Sequence, residues 1–124
     1  MPTIMLAEDD QTMVSLLKTL LGMEGYQVMA LDMEEDVFDS VKTHQPDVLL
    51  LDVHLPNANG LDIIDQIRAN PETKDISVVM TSGLNLEPEC MRHGASEFLL
   101  KPYMPDDLLG ILKRNLNISK SGNT

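Results

Sequence analysis

Tryptophan is absent from this chain, and its aromatic residues amount to two tyrosines and two phenylalanines. A core must then be built from aliphatic side chains, with the nine methionines filling irregular gaps. The single cysteine, Cys90, excludes an internal disulfide and suits a reducing compartment. Basic residues are scarce: nine Lys and Arg stand against twenty Asp and Glu, for a net charge of -11 and a pI near 4.4. Direct binding to nucleic acid needs clustered cations, so it is the wrong chemistry here. No apolar run approaches the length of a membrane span, and the N-terminus lacks the charged-then-apolar pattern of a secretory signal. The expectation is a soluble, cytoplasmic protein without membrane contact. What is present is one domain's worth of chain, 124 residues, 43% hydrophobic and 23% charged.

The most telling stretch begins at Val48. Val48, Leu49, Leu50 and Leu51 form a continuous apolar run that ends in the carboxylate of Asp52. A strand apolar on both faces belongs in the centre of a parallel sheet covered by helices on either side. Pro56 and the turn residues Asn57, Asn59 and Gly60 follow, and are expected to exclude regular structure before the next helix. In that helix Leu61, Ile64 and Ile67 share a face, with Asp62, Asp65 and Arg68 largely opposite.

The rest of the chain repeats the alternation. Strands are expected over 3–7, 27–31, 76–81 and 97–100. A helix with Met13, Leu16, Leu17, Leu20 and Leu21 follows the first strand, capped by Asp10 and ended at Gly25. A weaker helix over 33–43 carries Val37, Phe38 and Val41. Pro88 and poor periodicity leave room for only a short helix within 84–93. The last helix starts at Pro105, whose missing N–H is tolerated in a first turn. Five strands alternating with five helical segments imply an α/β fold, a doubly wound parallel sheet with helices on both faces.

Four of these strands end on polar groups: Glu8 and Asp9, Asp52, Ser82, and Lys101. In a parallel sheet all of them reach one edge, where open α/β sheets bind ligands. Gathered carboxylates repel unless a cation joins them, and hard oxygen donors with room for water suit Mg²⁺. A carboxylate nucleophile beside Mg²⁺, a lysine and a hydroxyl is equipped to accept a phosphoryl group.

These residues, with Leu55-Pro56, Gly60, Ser82-Gly83 and Lys101-Pro102, resemble the response-regulator receiver domain of two-component signalling over residues 3–117. The resemblance implies the flavodoxin-like sheet order 2-1-3-4-5, an order the general rule for such sheets already illustrates with a receiver. It implies Asp52 as phosphoacceptor, and Mg²⁺ held by Asp9, Asp52, the His54 backbone carbonyl and, through water, Glu8. Ser82 and Lys101 would contact the phosphoryl oxygens, and Ser82 and Phe98 would form the switch. The implied partners are a sensor histidine kinase or phosphotransfer protein as donor, and a downstream effector protein or fused domain as output. A phosphorylation-dependent dimer is a further option. Apart from its own phosphorylation and dephosphorylation, no catalysis is implied. The family's fourth helix is shortened here, which bears on the signalling surface. Residues 1–117 form the expected domain, and 118–124 a polar tail or the start of a linker.

Three rivals share parts of this pattern. A flavodoxin-type cofactor binder needs a phosphate-cradling loop after the first strand, where this chain has Glu8-Asp9-Asp10. A Mg²⁺-dependent phosphatase with an aspartyl-phosphate intermediate would want an acid two residues after the nucleophile, where this chain has His54. A docking-only receiver would be expected to have lost a site residue, and none is missing.

Overall fold

The computed structural model describes the backbone of residues 1–122 and the side chains of residues 1–116. The expected tail over 118–124 falls beyond those side chains, and residues 123–124 lie outside the described residues altogether.

The alternation of strands and helices appears in the expected order: β1 (Thr3–Ala7), α1 (Gln11–Met23), β2 (Gln27–Ala30), α2 (Val37–His44), β3 (Val48–Asp52), β4 (His54–Leu55), β5 (Ala58–Asn59), α3 (Gly60–Ala69), β6 (Ser77–Ser82), α4 (Glu87–Arg92), β7 (Glu97–Leu100) and α5 (Pro105–Gly122). Five strands form a parallel sheet in the order β2-β1-β3-β6-β7. Counting sheet strands alone, this is 2-1-3-4-5.

Period-two alternation along the strands sends successive side chains into two separate cores. Met5, Leu49, Leu51, Val78 and Met80 pack under α2, α3 and α4, against Val41, Ile64, Ile67 and Cys90. Ile4, Leu6, Val48, Leu50 and Val79 pack on the other face against Leu17, Leu21, Leu108 and Leu112 of α1 and α5. Every apolar residue of β3 is at most 3% exposed. At about 1.5–3 kcal/mol for each fully buried aliphatic side chain, an upper bound, this strand and β1, whose Ile4 to Ala7 are fully buried, anchor the sheet. Among the described residues no helix is long and apolar enough to cross a membrane.

Several local expectations are corrected. The weaker helix starts at Val37 rather than at residue 33, because the Asp36 side chain accepts the Asp39 N–H and caps it there. Residues 54–59, expected to be irregular, form a small antiparallel hairpin, with Leu55 opposite Ala58 and Pro56-Asn57 at the turn. Proline at the first corner of a tight turn suits that geometry. In α1, Val14 is buried while Leu16 stays 47% exposed. Arg68 does not simply face solvent: its guanidinium donates to the carbonyls of Gly94, Lys74 and Ile76 at 2.7–2.9 Å, tying α3 to the turns before β6 and β7. The shortened fourth helix is present as α4, six residues long, anchored by the fully buried Cys90.

Candidate functional site

The sheet order makes β1, β3, β6 and β7 consecutive, so their carboxyl ends form one continuous edge. Glu8 and Asp9 follow β1, Asp52 and Ser82 end β3 and β6, and Lys101 follows β7. Residues up to 93 positions apart in sequence meet there.

Carboxylate oxygens of Glu8, Asp9 and Asp52 lie within 4.8 Å of one another. Glu8 and Asp52 are buried, at 4% and 6% exposure, whereas Asp9 faces solvent. Lys101 Nζ bridges the two buried acids, donating to Glu8 Oε1 at 2.6 Å and to Asp52 Oδ2 at 2.7 Å. The other oxygen of Asp52, Oδ1, accepts the His54 N–H at 3.0 Å. Glu8 Oε2 accepts the backbone N–H groups of Asp9 and Asp10, which fixes the acidic loop against its own first carboxylate. Asp10 caps α1 through the N–H groups of Thr12 and Met13, so its role in this loop is structural.

The charges are unbalanced. Three carboxylates face one ammonium, leaving two formal negative charges in a largely buried pocket. Burial pushes the Glu8 carboxyl above its ordinary value, against the opposing pull of Lys101 and of the Asp10 N–H. Burial alone would lower the Lys101 ammonium. Its hydrogen bonds to Asp52 and Glu8 and their charges outweigh that and hold it above the ordinary lysine value, so it remains cationic at neutral pH. A divalent cation with a preference for oxygen donors fits both the donor set and the missing charge.

The other expected residues are placed less centrally. Ser82 is fully buried beside the site, and its Oγ accepts the Leu84 N–H at 3.0 Å; it makes no hydrogen bond to Asp52. Phe98 is half-buried and packs against the core beneath α3 and α4, opposite Met80 in the β6–β7 pairing. The His54 side chain is exposed, while its backbone is held in the β4–β5 hairpin immediately beyond Asp52.

Two contributions to the site are absent from the sequence-level expectations. Tyr103 lies two residues beyond Lys101, within the field of the pocket. Burial, reinforced by the charges of Glu8 and Asp52, pushes its phenol up to about 12, so it stays a neutral hydroxyl under ordinary conditions. An aromatic residue just after a strand-end lysine was the available signal. Gly60 is the other. Its N–H donates to the Val53 carbonyl at 2.7 Å, which presses the start of α3 against the end of β3. The glycine was legible as a turn residue, but the close approach was not.

Comparison with known proteins agrees with this architecture. Residues 4–113 match the response regulator receiver domain family. The chain is 31% identical over 104 residues to the regulatory protein LuxO of Vibrio vulnificus, covering 83% of this chain and 23% of that protein. It spans about half the length of other curated relatives that it matches. Among solved structures, the signal receiver domain of a LuxO repressor protein from Vibrio parahaemolyticus superposes with a TM-score of 0.88 at 26% identity, covering 98% of this chain and 95% of that one. The receiver domain of a sensor histidine kinase from Pseudomonas aeruginosa PAO1, which has a magnesium ion coordinated in its active-site cleft, superposes with a TM-score of 0.82 at 25% identity, covering 94% and 98%. With the sheet order, the edge of acids and lysine, and a family match over nearly its whole length, this chain belongs to the response regulator receiver domains of two-component signalling.

Proposed function

We propose that the chain receives a phosphoryl group on Asp52 from a phosphohistidine of a sensor histidine kinase or phosphotransfer protein, and that this shifts a protein-interaction surface read by a downstream effector or fused domain. The observation that carries the reading is the pocket in which Asp52, Glu8 and Asp9 meet and Lys101 bridges the two buried acids. An Asp52 carboxylate oxygen forms the new bond to phosphorus as the P–N bond to the donor imidazole breaks, and the imidazole leaves with the electron pair. Asp9 and Asp52, with the His54 carbonyl and with Glu8 through water, would hold Mg²⁺. When bound, the ion would neutralise charge on the oxygens of the transferring group.

The chain's own residues do the positioning. The His54 N–H holds Asp52 Oδ1 and Lys101 holds Oδ2, so the carboxylate is fixed before the donor arrives. After transfer, Lys101 would follow the phosphoryl oxygens, a role its present bond to Asp52 Oδ2 supports. Ser82 Oγ would turn from its Leu84 contact to donate to them, and Phe98 would move into the space behind.

The test is covalent loading in Mg²⁺ with a small phosphodonor, read by intact mass. Wild type should gain one phosphoryl group and Asp52→Asn none. Undiminished labelling of Asp52→Asn would overturn the assignment.

A further inference from the structure

We infer that the groove between the β2–α2 turn and the β4–β5 hairpin docks a cationic segment of a partner protein that carries an aliphatic anchor. The groove holds about 280 Å³, and its apolar floor comprises Met33, Val37, Leu55, Pro56 and Ile63. Its rim carries the exposed acids Glu34, Glu35 and Asp36 at the start of α2. Among the described residues no lysine, arginine or histidine lines it, and none of these three acids is in an ion pair. The rim therefore presents uncompensated negative charge around a floor that gains by excluding water.

One hydrogen bond crosses the groove, and one wall is held by a helix cap. The Asn57 side-chain amide donates to the Met33 carbonyl at 3.4 Å, joining the hairpin tip to the opposite wall. Asp36 is committed to capping α2, which holds the acidic turn in place. A second copy of this chain is a poor occupant, since its net charge of -11 would set acid against acid. A segment with lysines or arginines flanking a leucine-like side chain answers both the rim and the floor.

The test uses the whole chain, isotope-labelled, without Mg²⁺ or phosphodonor, so that its outcome is independent of Asp52 chemistry. The probe is a blocked heptapeptide, Lys-Lys-Ala-Leu-Leu-Lys-Lys, compared with a version carrying serine for leucine and one carrying glutamate for lysine. Amide shifts should concentrate on residues 33–37 and 55–58, and the glutamate peptide should produce none. The double variant Glu34→Lys, Glu35→Lys changes exposed residues outside the proposed phosphorylation machinery, and should weaken binding by about tenfold or more. The serine peptide should weaken to a similar degree. Shifts scattered over the acidic surface, equal binding of the serine peptide, or unchanged binding by the double variant would overturn the proposal. So would spermidine reproducing the same shifts at equal affinity, because the groove would then be a site for small polycations.

Discussion

Replacing Gly60 with alanine should damage both fold and site, and the size of the effect follows from where the new methyl group would land. It would lie 2.6 Å from the Asp52 carbonyl oxygen and 2.8 Å from Val53 Cα. Both are backbone atoms with no rotamer to yield. Restoring an ordinary contact at 3.4 Å requires a displacement of about 0.8 Å, the difference between 3.4 and 2.6 Å. The Gly60 N–H bond to Val53 resists that movement. Overpacking of this kind costs about 1–3 kcal/mol, or roughly 5–15 °C in Tm for a chain of this size. Gly22 in α1 is the control. Beyond its chain neighbours and the backbone of α1, nothing lies within 4 Å of its added Cβ. Gly22→Ala should therefore stabilise, by less than the roughly 1 kcal/mol of a mid-helix exchange because it stands next to the last residue of α1. The displacement at Gly60 also moves the Asp52 backbone, and a shift approaching 1 Å at a reacting group can cost about a hundredfold in rate. Urea denaturation measures the first effect, and the time course of phosphodonor loading by intact mass measures the second. If Gly60→Ala matched wild type in stability and loading rate, the close approach between α3 and β3 would not be a constraint and the reasoning would fail.

Arg68→Ala should cost about 2–4 kcal/mol in the same denaturation assay, because it strands the Gly94 and Ile76 carbonyls in partly buried positions. Arg68→Lys should recover less than half, since one ammonium cannot reproduce the guanidinium fork. Stability should fall as pH rises from about 10 to 12: the Tyr103 phenol is raised to about 12, so the unfolded chain loses that proton first and the folded state binds more protons across the window. Lys101, also raised, contributes below its unfolded value and loses that contribution as pH rises through its folded one, in the same direction. Tyr103→Phe should flatten part of the decline, and a wild-type curve level through pH 12 would refute the assignment. Amides of residues 83–94 should exchange readily and gain more protection with Mg²⁺ and beryllofluoride than those of α5, because α4 has one fully buried side chain, carries the exposed Met91 and is preceded by the exposed Leu84. Labelling of the Cys90 thiol should slow in parallel; strong protection before beryllofluoride is added would refute that ordering.

Local chemistry carried much of this protein. The apolar run into Asp52 was legible as an interior strand because it is short, bounded by Pro46-Asp47, and apolar on both faces, which calls for helices on either side. The acids, serine and lysine at strand ends were legible because a parallel sheet sends every carboxyl end to the same edge. Tertiary structure decided what depends on distance rather than order. Helical spacing in α1 marked an apolar stripe but did not distinguish the buried Val14 from the exposed Leu16, since that choice depends on how the helix rotates against β1 and β3. It placed Arg68 on the outer face of α3, yet a long flexible side chain can fold back, and three carbonyls left over at turns drew it inward. The bridging of Glu8 and Asp52 by Lys101 likewise has no local signature. It exists because three strands far apart in sequence end on the same edge of the sheet, where the long Lys101 side chain reaches both acids, burial makes an uncompensated carboxylate costly and a single ammonium is the nearest countercharge.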